Sequence, residues 1–104
     1  MQNSRCEVYL TEAAEQDLND IIDYLNKFSP EIGSRYYRLI KEKLYDLREI
    51  STSYPLIRNE RLRELGFRWT SVKNYMIFFA VDEIHNKVVV KRIQYARRDF
   101  DALL

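Results

Sequence analysis

The chain has 104 residues, 46% of them hydrophobic and 13% aromatic, a composition typical of one folded globular domain rather than of a disordered chain. It has one cysteine and one histidine, which excludes an internal disulfide and the Cys/His spacings of common zinc sites. We therefore expect a single domain over residues 1–104, with no metal and no cofactor.

The net charge of +1 hides an uneven distribution along the chain. Residues 1–31 carry two basic and seven acidic side chains, a net charge of −5, whereas residues 32–98 carry fifteen basic and seven acidic ones, a net charge of +8. This separation predicts a basic face that meets an anionic partner. Because the whole chain is nearly neutral, strong non-specific binding to nucleic acid is not expected.

Nothing in the sequence predicts a membrane segment or a secretory signal. The longest apolar run, Tyr75–Val81, is far shorter than the roughly 20 residues that span a bilayer. The first residues lack the basic and then apolar order of a signal peptide. We expect a cytoplasmic protein that has no membrane partner.

The first predicted elements are a short strand and a helix. Residues from Arg5 to Leu10 alternate between two sides, which is typical of a strand. Thr11 is a suitable N-cap, and apolar residues recur at helical spacing from Ala14 to Phe28. The polar residues between them are expected to form a solvated helix face. They are Asp17, Asn19, Asp20 and Asp23.

A second helix is predicted to begin at Ser29-Pro30, since serine suits the N-cap and proline the first helical position. Its apolar residues recur at helical spacing from Ile32 to Ile50. The short connection predicts that the two helices form an antiparallel hairpin. Residues 51–60, STSYPLIRNE, are rich in turn-forming residues and predict a loop.

Three segments rich in β-branched and aromatic residues are predicted to be strands. They are Gly66–Val72, Tyr75–Val81 and Lys87–Tyr95. Their connections are so short that the strands must form an antiparallel meander. The expected fold is α+β: an N-terminal strand, an antiparallel helical hairpin packed on a three-stranded antiparallel meander, and a short C-terminal helical tail. The expected core contains Leu18, Ile22, Ile40, Leu44, Leu47, Ile77 and Phe79.

Four motifs that together span almost the whole chain follow this order of elements. They are VYLTEAAEQDLNDIIDYL, SPEIGSRYYRLI, RLRELGFRWTSVKNYMIFFAVDE and VVVKRIQYARRDFDALL. They resemble the RelE/ParE superfamily of type II toxin-antitoxin toxins, and VKNYMIFFAVDE and RIQYARRDFDALL are the most specific pieces. The resemblance implies a small bacterial toxin that a cognate antitoxin neutralises and that arrests growth when the antitoxin is degraded.

The resemblance implies one of two targets. RelE-like toxins cut mRNA on the ribosome, and ParE-like toxins block DNA gyrase through protein contacts. The RelE-like branch is expected to use lysines around the first meander strand, an arginine after the aromatic residue that opens the second, and an arginine with a tyrosine or histidine near the C-terminus. Here Arg68 is the only cation on the first meander strand, and Met76 follows Tyr75. Only Arg97 and Arg98 match the C-terminal basic site.

The missing parts of the nuclease pattern favour the ParE-like branch, a gyrase inhibitor that is not an enzyme. In that interpretation Arg97, Arg98 and Tyr95 contact the target. The alternatives are a ribosome-dependent, metal-independent mRNA endonuclease and a non-toxic binding module derived from such a toxin. A nuclease would draw its catalytic residues from Arg68, Tyr95, Arg97 and Arg98, with the Tyr95 hydroxyl as general acid. Otherwise Tyr95 is a packed ring whose hydroxyl lies in water.

The antitoxin is expected to bind at Arg68, Trp69 and Arg92. The two arginines are predicted to lie on the sheet face turned away from the helices, where a flexible antitoxin tail folds on binding. Trp69 alternates to the face opposite Arg68 and is expected to contribute only near an edge, or to pack in the core. No direct, specific binding to DNA is expected without the antitoxin. His85 is predicted to be an exposed turn residue.

Overall fold

A computed structural model describes residues 6–50 and 54–96 of the chain. The elements are, in chain order, β1 (Glu7–Leu10), α1 (Glu12–Asn26), α2 (Pro30–Ile50), α3 (Glu60–Glu64), β2 (Phe67–Val72), β3 (Tyr75–Asp82) and β4 (Lys87–Tyr95). The helical tail expected over residues 97–104 lies outside the described residues. Within the described ranges, no helix combines the length and apolar character that crossing a bilayer requires.

The four strands form one sheet in the order β1-β4-β3-β2. β2, β3 and β4 are antiparallel neighbours, which confirms the predicted meander. β1 lies parallel to β4 and pairs only with its first half, from Lys87 to Val90. β4 therefore extends well beyond the end of β1, and its second half needs another neighbour on that side.

The two long helices begin at the predicted caps. The Thr11 hydroxyl accepts a hydrogen bond from the Ala14 N–H at 3.0 Å, which satisfies a free donor at the start of α1. Ser29 accepts from the Glu31 N–H at 3.2 Å and caps α2 in the same way. The Ser29 hydroxyl also donates to the Glu31 carboxylate, and this hydrogen bond lowers the pKa of Glu31. Local hydrogen bonding thus defines both helix starts.

The main core lies between the helical hairpin and one face of the sheet, as the sequence predicts. Ile22 is partly buried and packs against this core. The other six predicted core residues are buried: Leu18, Ile40, Leu44, Leu47, Ile77 and Phe79. The apolar stripes of the two helices therefore face the sheet.

The opposite face of the sheet carries a second cluster, which the sequence analysis did not predict. Ile57, Leu62 and Phe78 are buried there, and three residues pack beside them partly buried: Phe67, Trp69 and Met76. Leu62 belongs to α3, whose N-cap Asn59 accepts from the Leu62 N–H at 3.0 Å. A short helix and the segment before it thus cover the β2 side of this face.

The turn between β3 and β4 is held by the Asp82 carboxylate. It accepts a hydrogen bond from the backbone N–H of His85 at 3.1 Å and pairs with the His85 Nδ1 at 2.7 Å. The contact with the imidazole is the largest cause of a pKa of Asp82 below its ordinary value. His85 is exposed, as predicted.

We expect Asp82 to stabilise the fold at neutral pH and to lose this effect in acid. Because its folded pKa is lower than its unfolded pKa of about 4, the stabilisation is fully present above that value and is lost as the pH falls through the lowered one. NMR titration should show a higher pKa of Asp82 in His85→Ala than in the parent chain. The hydrogen bond from the backbone N–H of residue 85 should keep that pKa below its ordinary value. Identical pKa values in the two forms would contradict this role of His85.

Candidate functional site

The second half of β4 is bordered by α1 instead of β1. The Thr11 N–H donates to the Val90 carbonyl at 3.1 Å, and the Thr11 hydroxyl donates to the Lys91 carbonyl at 3.0 Å. The β3–β4 register shifts between Phe78 and Phe79, which makes Lys91 an extra residue in β4. The start of α1 therefore covers the edge of β4 at the point where β1 ends.

Asp17, six residues after Thr11, continues this cover further along α1. Its carboxylate accepts from the backbone N–H of Ile93 at 2.9 Å and from the Arg92 Nε and Nη2 at 2.8 and 2.9 Å. A bidentate arginine contact is among the stronger charge-assisted arrangements. The carboxylate raises the pKa of Arg92 above its ordinary value, so this guanidinium stays charged. Asp17 thus fixes both the edge of β4 and the Arg92 side chain.

The expectation that Asp17 belongs to the solvated face of α1 is wrong. Asp17 is 8% exposed. Its position three residues after Ala14 and four before Ile21 places it within the buried stripe of the helix. That spacing is the sequence signal that identifies it as an inward-facing carboxylate in need of a partner.

Arg68 does not lie where the sequence analysis places it. It pairs across the sheet with Phe79, a residue of the main core, and so belongs to the face turned toward the helices. Its Nη1 donates to the Tyr54 carbonyl at 2.6 Å. The predicted placement on the outer face is wrong because β2 carries apolar residues on both faces, so alternation alone did not identify the core side.

Trp69 lies on the face turned away from the helices. It is opposite Phe78 in the β2–β3 register and packs, partly buried, against the second cluster. Arg92 is also opposite Phe78, but its guanidinium turns to Asp17 on α1. The three residues expected to bind the antitoxin therefore occupy three separate environments.

Tyr95 ends β4 in a row of tyrosine rings. Its ring meets that of Tyr75 edge to face with centroids 5.7 Å apart, and Tyr75 meets Tyr36 at 6.0 Å. Burial is the largest cause of a raised pKa of the Tyr75 hydroxyl. Tyr95 is 42% exposed. One side of its ring is thus packed while the residue keeps a large accessible surface.

An open groove of about 720 Å³ runs along this end of β4, between α1 and the tyrosine rings. Arg92, Tyr95 and Gln94 line it from β4, and Asp20 and Tyr24 line it from α1. Among the described residues that line it, Arg92 is the one cation, and it is bound to Asp17. The groove offers rings, hydroxyls and an amide suited to contacts with a macromolecule. No cluster of three His, Cys, Asp or Glu side chains in the described residues could hold a metal ion.

The family model described as ParE toxin of type II toxin-antitoxin system, parDE, matches residues 8–100. The chain belongs to the ParE toxin family. This match confirms the resemblance seen in the four motifs. Arg97 and Arg98 lie within the matched range but outside the described residues.

Several solved structures resemble this ParE-family chain, and two of them are described here. One is titled as the chromosomal ParDE TA system from P. aeruginosa; it is 19% identical with a TM-score of 0.72 and covers 91% of this chain and 100% of its own. The other is the toxin-antitoxin complex RelBE2 from Mycobacterium tuberculosis, which is 22% identical with a TM-score of 0.62 over 88% and 98% of the two chains. At these identities the likeness confirms the predicted α+β fold. No curated protein matches the sequence.

Proposed function

We propose that this ParE-family toxin inhibits DNA gyrase through protein contacts and that a cognate antitoxin is its direct partner. The supporting observation is that two cations of the described residues, Arg68 and Arg92, are held apart by different partners. A metal-free ribonuclease needs positive charge gathered around the reacting phosphate, with a base and an acid beside it. Here Arg68 is bound to the Tyr54 carbonyl on the helix side of the sheet, whereas Arg92 is bound to Asp17.

The antitoxin is proposed from the family and from the two related structures, whose titles name a ParDE system and a RelBE2 toxin-antitoxin complex. Such a partner and gyrase both lie in the cytoplasm, where we place this protein as well. Trp69 is proposed to contact the antitoxin from the outer sheet face. Arg68 and Arg92 would reach it only by giving up their present contacts.

Arg97, Arg98 and Tyr95 are proposed to contact the target. We expect Arg97→Ala together with Arg98→Ala to abolish toxicity and to leave antitoxin binding intact. Tyr95→Phe should remain toxic, because a protein contact needs the ring that packs on Tyr75. A nuclease that used this hydroxyl as its acid would instead lose about 10² to 10⁴-fold in cleavage rate.

The test is induction of each variant in a bacterium, followed by measurement of DNA breaks, plasmid supercoiling and cleavage of ribosome-bound mRNA. Tyr37→Phe is the matched control, since Tyr37 is exposed to a similar degree on α2. We expect altered supercoiling and no mRNA cleavage by the parent. Cleavage by the parent that disappears in Tyr95→Phe would establish the endonuclease alternative, and the absence of growth arrest would indicate a binding module.

A further inference from the structure

The open groove at the end of β4, here named the tyrosine groove, is lined by two exposed tyrosines, Tyr24 of α1 and Tyr95 of β4. Each of these rings meets one neighbouring ring at a steep angle. Tyr24 meets Phe28 with centroids 5.2 Å apart, as Tyr95 meets Tyr75. Tyr24 is nevertheless 54% exposed. The two rings are thus supported from one side and accessible from another.

The exposed tyrosines of the described residues fall into two groups. Three of the five have a cation of the chain itself near the ring. These pairs are Tyr9 with Lys87 at 5.9 Å, Tyr37 with Lys41 at 5.5 Å and Tyr45 with Arg48 at 4.6 Å, each measured to the ring centroid. The other two exposed tyrosines are Tyr24 and Tyr95, whose rings have no such cation from the described part of the chain. Because an aromatic face attracts a cation, these two rings can accept one from a partner.

The tyrosine groove also carries an uncompensated negative charge. Among the described residues that line it, the charged ones are Asp17, Asp20 and Arg92. Asp17 and Arg92 neutralise each other. The exposed Asp20 carboxylate accepts a hydrogen bond from the neutral Gln16 amide at 2.8 Å, which leaves its charge unbalanced. Asp20 and Tyr24 are four residues apart on α1 and are therefore neighbours on its surface.

The helix that forms one wall of the groove is acidic throughout. α1 contains five Asp or Glu side chains and no Lys or Arg. A nucleic acid would bring its phosphates against this negative wall, so the groove is poorly suited to RNA or DNA. A basic protein segment has the complementary charge.

The combination of rings and a carboxylate selects arginine among the cations. Its planar guanidinium can stack on an aromatic ring and also form two parallel hydrogen bonds with a carboxylate. Lysine offers a point charge that has no plane to stack. Asp20 and Tyr24 provide the carboxylate and the ring side by side.

We propose that the tyrosine groove binds an arginine of the target protein, whose guanidinium pairs with Asp20 and stacks on the Tyr24 ring, next to Tyr95. The inference rests on the proposed function for the identity of the target. It adds the surface of α1 to the contact proposed for Tyr95, Arg97 and Arg98.

The first test is a titration of the purified chain with purified DNA gyrase of the same organism. Asp20→Lys should weaken the complex at least about tenfold, which corresponds to about 1.4 kcal/mol. Asp23→Lys is the matched control, since Asp23 is exposed on the same helix but does not line the groove. We expect this control to change the affinity less than about twofold.

The role of the ring is tested in the same titration. Tyr24→Leu keeps an apolar side chain but removes the aromatic face, and should weaken the complex about fivefold or more. Tyr37→Leu is its control, because Tyr37 is similarly exposed on α2 and already has Lys41 near its ring. We expect a change of less than about twofold in this control. Circular dichroism checks that every variant is folded.

The chemistry of the ligand is tested by NMR titration of the free chain with two short peptides. One is acetyl-Gly-Arg-Gly-amide, and in the other citrulline replaces arginine, which keeps the planar group but removes its charge. The ring signals of Tyr24 and Tyr95 should shift with the arginine peptide and at least about tenfold less with the citrulline peptide. The Tyr37 ring should respond little to either peptide.

The outcomes separate this inference from the proposed function. Gyrase binding that is as strong in Asp20→Lys and Tyr24→Leu as in their controls overturns the inference and leaves the proposed function standing. A Tyr24 ring that responds equally to both peptides also overturns the inference. Failure of the parent chain to bind gyrase overturns the proposed target and, with it, the assignment of the arginine to that partner.

Other occupants of the groove have their own signatures, and each would overturn the inference. Weaker binding of the antitoxin in Asp20→Lys, with gyrase binding unchanged, would assign the groove to the antitoxin. Stronger binding of a single-stranded RNA in the same variant would assign it to nucleic acid. A dimeric parent that becomes monomeric in Tyr24→Leu would assign it to a second copy of this chain. A shift of the Tyr24 ring in free Arg97→Ala with Arg98→Ala would assign it to the chain's own arginines.

Discussion

Asp17→Asn should lower the free energy of unfolding by about 3 kcal/mol, because it removes one partner of a largely buried ion pair. Asn keeps the size of the side chain, but its N–H₂ group replaces one of the two oxygens that accept from Arg92. A hydrogen-bond donor then faces the guanidinium, which is itself a donor. The Arg92 side chain is only 24% exposed. Water therefore cannot fully solvate the positive charge of Arg92 once its acidic partner is removed. Denaturant unfolding monitored by circular dichroism measures the change.

Asp20→Asn on the same helix is the matched control for Asp17→Asn. Asp20 is exposed and accepts a hydrogen bond from the Gln16 side chain, so its replacement should change stability by less than about 0.5 kcal/mol. Arg92→Gln in the Asp17→Asn background should recover part of the loss, because it removes the unpaired charge. Equal stabilities of the Asp17 and Asp20 variants would contradict the role given to this ion pair.

Phe79→Ala should have a similar or larger effect, about 3 to 5 kcal/mol, since it leaves a cavity at the centre of the sheet. Phe79 is fully buried and its ring meets that of Tyr54 edge to face at 5.9 Å. The whole free energy of unfolding of a native protein is only about 5 to 15 kcal/mol. We expect a fall in Tm of more than about 10 °C by calorimetry.

Phe28→Ala is the control for Phe79→Ala, because Phe28 is 67% exposed at the end of the helical hairpin. Its truncation removes the same atoms from the surface and should shift Tm by only a few degrees. A Phe79→Ala variant that melts within about 2 °C of the Phe28→Ala variant would show that the core is not packed around β3 as described.

The helices and strands were predictable where one periodicity extends over many residues. The apolar positions of α1 and α2 repeat over four or more turns, and β4 has the predicted bounds, Lys87–Tyr95. Short turns then left the meander as the only arrangement for β2, β3 and β4. Periodicity and loop length together therefore specify most of this fold.

α3 and the placement of Arg68 were not predictable in the same way. α3 has five residues and one buried apolar side chain, Leu62, which is too little for a helical period. β2 is covered on both faces, by the helical hairpin and by the segment that contains Ile57 and α3. Apolar residues then occur at odd and even positions alike, and alternation no longer shows which face bears the main core.

The contact of Asp17 with Arg92 could not be predicted from the pattern of either element alone. The two residues are 75 positions apart, and no pattern within a helix or a strand specifies a partner at that distance. The helical spacing shows that Asp17 faces inward, but only the sheet topology brings the end of β4 to α1. The surroundings of a functional residue at the end of a strand or helix depend in the same way on which strands become neighbours.

The parallel pairing of β1 with β4 has a consequence for the biosynthesis of this chain. β1 leaves the ribosome before its partner β4, since Glu7 pairs with Lys87 far along the chain. Contacts between such distant segments form slowly and late in folding. Until β4 emerges, Asp17 lacks its partner Arg92, and β1 lacks the strand with which it pairs. The core also lacks Val88, Val90 and Ile93. Any function of the folded domain therefore begins only after β4 has been made, and we expect chains terminated before β4 to be degraded by proteases.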